Sequence, residues 1–268
     1  MAGIVFGCTV PHPPIIIPDI GRGEESVISD TTQAMEKLCD ILVEQHPETV
    51  LIISPHGDYH TDAMGILDTR SSTGDMNRWG ARGPERHFDN DLKMVELIIK
   101  EAKADNIPIK PIGNDHYSLD HGIMVPMHFL YRGITGLPLV PLSFCWLPLE
   151  THFAFGKAIK RAAEQSQKRV AVIASGDLSH RLIPTAPAGY DPMGKVFDEK
   201  LVNALSYLGT EEILHMDREL IERAGECGLR PITVLLGAMD GLQVTPSVLS
   251  YQGPFGVGYL VASFEIAP

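Results

Sequence analysis

Short apolar segments that alternate with amphipathic ones constrain the fold of this chain more than any other feature. Residues 3–10 (GIVFGCTV) and 49–55 (TVLIISP) are short and rich in β-branched side chains, as is typical of strands covered on both faces. Between them, residues 24–45 repeat apolar side chains at helical spacing. Further helices are expected at 92–105 and 152–166, and further strands at 137–144 and 169–176. The alternation predicts an α/β fold with a mixed, mostly parallel central sheet flanked by helices.

Two other regions refine this prediction. Residues 245–266 have the pattern of an antiparallel strand pair, which predicts an antiparallel portion at one side of the sheet. Residues 69–90 are the longest stretch without a clear period, and a loop of that length in a compact domain is more often functional than accidental. No internal repeat or interdomain linker interrupts the chain, so we expect one domain over residues 1–268.

Charge and composition exclude several classes of partner. Lys and Arg number 22 against 34 Asp and Glu, a formal net charge of −12, which argues against nucleic acid because phosphate binding requires a basic surface. No apolar stretch is long enough to span a membrane and no secretory signal begins the chain, so we expect a cytoplasmic protein without a membrane partner. The four cysteines are far apart and form no CxxC pair, which disfavours a disulfide framework.

Three histidines follow predicted strands. His12 lies in TVPHPP, His56 in ISPHGD and His180 in ASGDLSH. Ligands of open α/β sheets collect beyond the carboxyl ends of the strands, so the three imidazoles are expected at one edge of the sheet. A single histidine of this kind is most often a hydrogen-bonded loop residue, but three together favour a metal or catalytic site.

The flanking residues favour metal binding by the first two histidines. Prolines on both sides of His12 hold the backbone extended, and a glycine after His56 allows close approach to an ion. Two imidazoles and one carboxylate form the facial arrangement of non-haem Fe(II) sites. Glu226, in a glycine-bracketed break before an apolar helix, is the expected carboxylate, with a helix-capping role as its alternative. The adjacent Cys227 is a second candidate ligand, softer and better suited to zinc.

A fourth histidine is expected to face the same cleft. His121 follows Asp120 at the beginning of a predicted apolar helix. The positive end of the helix dipole lowers the pKa of an imidazole there and keeps it in the range useful for proton transfer.

Taken in order, the motifs PHPP, SPHGD, LDHG, SGDLSH and ECGLRP resemble those of the class III extradiol ring-cleavage dioxygenases. The resemblance extends over nearly the whole chain and is closest to the stand-alone branch that includes the Memo-like proteins. It implies a mononuclear Fe(II) ion bound by His12, His56 and Glu226, with His180 as the active-site base and His121 as a second acid or base. In the Memo-like branch a cysteine occupies the third metal position, which is the place of Cys227.

The resemblance implies oxygen-dependent ring opening of a catechol-type substrate. His180 would remove a phenolic proton, and His121 would protonate the intermediate. Asp177 is a candidate orienting group with a helix N-cap as its alternative, and Arg70, Arg78 and Arg82 are candidate partners of a substrate carboxylate. The alternative function is that of a Memo-like metal protein without dioxygenase turnover, acting through a protein partner or a redox role. A zinc hydrolase is a third interpretation, and homo-oligomer formation is left open.

Overall fold

The computed structural model describes residues 2–81, 85–114 and 117–267. Its ten strands, within those ranges, are β1 (Gly3–Val10), β2 (Thr49–Ser54), β3 (Met64–Leu67), β4 (Ser71–Gly74), β5 (Arg86–Asp89), β6 (Ile109–Ile112), β7 (Leu139–Ser143), β8 (Arg169–Ser175), β9 (Val244–Gln252) and β10 (Tyr259–Ile266). The α-helices are α1 (Pro18–Gly21), α2 (Ser29–Glu44), α3 (Leu92–Ala104), α4 (His121–Ile134), α5 (Leu149–Ser166), α6 (Pro192–Leu205), α7 (Thr210–Leu214), α8 (Arg218–Ala224) and α9 (Leu229–Ala238).

The central sheet has the strand order β6-β3-β7-β2-β8-β1-β10-β9. Its middle strands β7, β2, β8 and β1 are parallel to one another, which confirms the predicted mixed, mostly parallel sheet in a single domain. The predicted tail pair is also present, since β10 pairs antiparallel with β9 and β1. A second antiparallel pairing, between β3 and β7 on the other side of the sheet, was not predicted from the sequence.

Helices cover both faces of this sheet. Successive side chains of a strand point alternately to the two faces, so each strand contributes apolar side chains to both cores. In β2, Leu51 and Ile53 pack into a core with α3, α5 and α9, whereas Val50 and Ile52 pack into a second core with α2 and α4. These four side chains are 0–1% exposed. Burial of one such side chain stabilises the fold by roughly 1.5–3 kcal/mol, which explains why the strand is apolar throughout.

The aperiodic region 69–90 contains more structure than its sequence indicates. Strands β4 and β5 form an antiparallel pair, and a 3-10 turn, Asn77–Trp79, lies between them. The strands are only four residues long, too short for a clear alternation of apolar and polar side chains. Arg82 lies outside the described residues.

The sheet order determines which loops meet. Strands β2, β8 and β1 are adjacent and parallel, so the segments that follow them emerge at one edge of the sheet. Those segments carry His56, His180 and His12 respectively. Helix α4 begins at His121, beside the same edge. The fold therefore places the four histidines near one another, at the carboxyl edge of the sheet where open α/β sheets bind ligands.

Candidate metal centre

His12 is held in one tautomer by a buried hydroxyl. The imidazole is 1% exposed, and its Nδ1 lies 2.9 Å from Oγ of Ser175. Ser175 donates its own hydroxyl hydrogen to the carbonyl oxygen of Gly122, so the hydroxyl oxygen accepts from Nδ1–H of His12. The lone pair of His12 is consequently on Nε2, which points to the other histidines. Burial lowers the pKa of His12 well below its ordinary value.

His56 faces His12 with its own Nε2. The two Nε2 atoms are 2.9 Å apart, and the rings meet edge to face with their centroids 4.6 Å apart. Burial is the largest cause that lowers the pKa of His56, to about 4, so both imidazoles are neutral near pH 7. Without an ion, the lone pair on Nε2 of His12 accepts from Nε2–H of His56. A metal ion bound by both nitrogens would take the place of that proton.

Cys227 completes a group of three ligand atoms. Its Sγ lies 3.7 Å from Nε2 of His12, and one ligand atom each of His12, His56 and Cys227 lie within 4.8 Å of one another. The backbone N–H of Asp177 donates to the same sulfur at 3.3 Å. Burial raises the pKa of the Cys227 thiol well above its ordinary value. Two neutral imidazoles and a thiol at these distances fit one transition-metal ion with a further coordination position left for a ligand.

The structure does not place Glu226 with these three residues. Its Oε2 accepts a hydrogen bond of 2.6 Å from the backbone N–H of Leu229, the first residue of α9, and Arg230 lies 3.7 Å from its Oε1. The side chain is 2% exposed, and burial is the largest cause that raises its pKa. The helix-capping alternative therefore describes the position of Glu226, and the ligand atom that lies with those of His12 and His56 is the sulfur of Cys227.

His121 and an indole lie on the open side of the centre. The ring of His121 stacks on that of His56 with centroids 4.4 Å apart and lies 5.4 Å from that of His12. The ring of Trp79, which the sequence did not indicate as a site residue, lies 5.2 Å from that of His121. Burial is the main cause that lowers the pKa of His121, and the positive charge of Arg78 lowers it further. His121 is therefore a neutral imidazole at the mouth of the centre.

His180 and Asp177 belong to the loop after β8. His180 is close enough to His12 and His56 for their charges to interact, and burial lowers its own pKa. Asp177 does not cap a helix. Its Oδ1 accepts from the backbone N–H of His12 at 2.9 Å, and its Oδ2 lies 3.9 Å from Nε2 of that residue. Asp177 thus positions the loop of His12, and burial raises the pKa of its carboxyl to about 7.

A cavity of about 310 Å³ opens beside the centre. Its lining includes His56, His121, Trp79, Tyr117 and Arg78. Of the three loop arginines, Arg78 alone is part of this lining in the described part of the chain; Arg70 is not, and Arg82 is not described. The space can accept a small molecule that reaches the ion, with an aromatic wall on one side and a cation at the rim.

Asp120 was also missed as a site residue. Its Oδ1 accepts from the hydroxyl of Ser54 at 2.6 Å and from the N–H of Gly122 at 2.7 Å, so it ties β2 to the beginning of α4. The sequence signal was present, since an aspartate directly before an apolar helix is a strong N-cap. These hydrogen bonds matter because His56 follows β2 and His121 begins α4, so Asp120 fixes the two histidines relative to each other.

Comparison with known proteins identifies the family. Residues 7–262 match the model of the catalytic LigB subunit of aromatic ring-opening dioxygenase. The chain belongs to the LigB family. This confirms the resemblance to the class III extradiol dioxygenases, and the family connects the chain to ring-cleaving enzymes that use a metal ion. No helix in the described ranges combines the length and the apolar character needed to cross a membrane.

Relatives of this chain include both dioxygenases and a Memo protein. A protein of Clostridium acetobutylicum, whose name states no function, is 34% identical over 96% of the chain, and the match spans 56% of its own length. The alpha subunit of 2-aminophenol 1,6-dioxygenase from a Pseudomonas species is 27% identical, with 99% of this chain and 98% of that one covered. A MEMO1 family protein of Methanococcus maripaludis is 23% identical over 78% of the chain and 66% of its length.

A solved structure confirms the fold. An uncharacterized protein of Escherichia coli matches with a TM-score of 0.68 at 17% identity, covering 97% of this chain and 99% of that one. The two folds are therefore alike over almost the whole length of both chains.

Proposed function

We propose that this chain binds one thiophilic metal ion, zinc or copper(I), through His12, His56 and Cys227, and that it functions as a Memo-like metal protein. The observation that carries the proposal is the convergence of the three ligand atoms within 4.8 Å. The tautomer of His12, set by Ser175, presents a lone pair to that point. A metal ion is the proposed occupant because it would bind both facing imidazole nitrogens and the sulfur at one point, in place of the proton that the two nitrogens otherwise share.

The donor set decides which metal and which branch of the family we propose. A thiolate favours zinc or copper(I), whereas the oxygen-activating Fe(II) sites with two histidines use a carboxylate. Glu226, the carboxylate next to Cys227 in the sequence, already accepts a hydrogen bond from the N–H of Leu229 and faces Arg230. To reach the ion, Glu226 would have to leave both partners. The MEMO1 family relative supports the same assignment by similarity.

Fe(II)-dependent extradiol cleavage of a catechol-type compound with O2 is the second candidate. It is favoured by the two further histidines, His121 and His180, which lie around the centre as an acid–base pair would. A divalent ion would lower the pKa of a hydroxyl group bound to it. His180, neutral because burial lowers its pKa, would accept the hydroxyl proton, and His121 would hold a proton at the open side. The dioxygenase relatives support this candidate by similarity.

One experiment separates the two candidates. The wild-type protein, C227S and E226Q are purified and analysed for metal, then reconstituted with Fe(II) without oxygen and assayed for O2 uptake with a panel of catechols. The Memo-like proposal expects zinc or copper in the wild type and E226Q, its loss in C227S, and no catechol-dependent O2 uptake. Catechol-dependent uptake by the wild type that is lost in E226Q and kept in C227S would establish the dioxygenase instead.

A further inference from the structure

A buried carboxylate lies behind the loop that carries His180. Asp198 belongs to α6 and is 0% exposed. Its Oδ1 accepts the backbone N–H of Ser179 at 2.8 Å, and its Oδ2 accepts the hydroxyl of Tyr251 at 2.6 Å. No lysine, arginine or histidine forms an ion pair with it in the ranges that the structure describes. A carboxyl group in this setting is costly to bury, so the two hydrogen bonds are its main stabilisation.

Two glycines leave the space that the carboxyl group of Asp198 and the loop after β8 occupy. A Cβ atom on Gly258 would lie 2.1 Å from Oδ2 of Asp198, and one on Gly194 would lie 2.3 Å from Oγ of Ser179. Gly258 also exchanges backbone hydrogen bonds with the loop: it accepts from Leu178 at 2.8 Å and donates to Ser179 at 2.9 Å. Substitution of either glycine would push the loop or the carboxyl out of place. The contact is a close-packed one between α6, the loop and the segment before β10.

The same loop connects two parts of the metal centre. At one end, the backbone N–H of Asp177 donates to Sγ of Cys227, and the carboxylate of Asp177 accepts from the N–H of His12. At the other end, the backbone N–H of His180 donates to the carbonyl oxygen of Ala224 at 3.2 Å. Ser179, which Asp198 holds, lies between these two ends. A shift at Ser179 must therefore move His180, Asp177 or both.

We infer that Asp198 is a positioning residue that fixes the loop 176–180, so that His180 and the N–H donor to Cys227 keep their places at the metal centre. The inference deepens the proposed function and rests on it for the role of Cys227. Asp198 touches neither the ion nor its ligands; it acts through Ser179. Above its pKa of about 7, which burial raises, the ionised carboxylate of Asp198 holds this loop more firmly than an amide would, because hydrogen bonds to a charged acceptor are stronger than neutral ones.

The test uses two spectroscopic signals that a loss of stability alone does not move. The first is the thiolate-to-metal charge-transfer band of the Co(II)-substituted protein, which reports on Cys227. The second is the set of ring proton–carbon resonances of His180 at fixed pH, recorded without metal. D198A should shift both signals, and D198N should shift them less because its amide oxygen still accepts from Ser179. Y251F, which removes one of the two hydrogen bonds, should give an intermediate shift and serves if D198A does not fold.

The matched control is Asp91, another buried carboxylate. It caps α3 by accepting from Met94 at 3.2 Å and forms an ion pair with Lys168. It lies at the opposite edge of the sheet, where its own N–H donates to Leu139, the first residue of β7. D91A should lower stability and leave both signals in place. Unchanged His180 resonances in D198A and Y251F would overturn the positioning role. A wild type that binds no Co(II) would overturn the metal centre, while the His180 resonances would still decide the role of Asp198.

Discussion

The sulfur of Cys227 lies 3.7 Å from Nε2 of His12, although the two residues are 215 positions apart in the chain. The loop after β8 brings them together, since Asp177 donates its backbone N–H to the sulfur and accepts the N–H of His12. The thiol and the imidazole are thus held by one aspartate. This arrangement makes the centre sensitive to the protonation of Cys227 and to the orientation of His12.

Metal binding should release one proton per ion near pH 7. The pKa of the Cys227 thiol is raised by burial, so the thiol is protonated in the free protein and must ionise to bind. The imidazoles release none, because the pKa of His56 is lowered to about 4 and that of His12 well below its ordinary value. Zinc titration calorimetry in two buffers of different ionisation enthalpy measures the number released. E226Q should release the same number, and a wild type that releases none would contradict the thiolate assignment.

H12A and H56A should each weaken zinc binding by at least about 100-fold, because each removes one of three protein ligands. Removal of the Ser175 hydroxyl, which orients His12, should cause a smaller loss of zinc affinity. S175A should weaken binding by roughly tenfold, the low end of the effect of residues that orient a ligand. Competition with a chromophoric chelator measures all three affinities. Equal affinities in the wild type and H12A would remove His12 from the centre.

H180A should retain the metal, since His180 is not among the three grouped ligand atoms. If the wild type opens a catechol ring, H180A should lose at least about 100-fold in rate, the usual contribution of a positioned base. Metal analysis and O2 uptake on the same preparation measure the metal content and the rate of ring opening. H128A, on the exposed part of α4, is the control and should change neither. Loss of metal in H180A would make this residue a ligand or a structural support.

R78Q should raise the pKa of His121. The guanidinium of Arg78 disfavours the protonated imidazole, so its removal stabilises that form, while the larger effect of burial remains. R78K retains the charge and should leave the pKa closer to that of the wild type. Titration of the His121 ring resonances measures the shift. A lower pKa in R78Q would show that Arg78 does not face His121 in solution.

D198N should change how stability depends on pH. Burial raises the pKa of Asp198 to about 7 in the folded protein, above the unfolded value, so the folded state binds more protons between about pH 4 and 7. This group therefore makes the protein less stable as pH rises through that window, by at most about 1.4 kcal/mol per pH unit. Urea unfolding at several pH values should show that D198N lacks this decrease. D68N, at an exposed position, is measured alongside as the surface control.

Much of the fold could be predicted from local patterns. The strand β1 was predicted with its observed bounds, and β2 and β8 within one residue, because buried central strands are continuous apolar runs. The short strands β4 and β5 could not be predicted, since four residues carry too few side chains to show a period. The pairing of β3 with β7 also depends on contacts between distant segments, which no local pattern records.

The sequence by itself singled out the histidines that the structure brings together. The histidines at the ends of β1, β2 and β8, and His121 at the beginning of α4, follow from strand and helix patterns and from the rule that such ends meet at one edge. Only the tertiary structure favours Cys227 over the adjacent Glu226 as the proposed third ligand. Neighbouring residues in a turn point in different directions, and the helix α9 that follows attracts the carboxylate to its first N–H while the thiol faces His12. The orientation of these two side chains depends on where α9 packs against the loop after β8. The amino-acid sequence has no local pattern that specifies this packing.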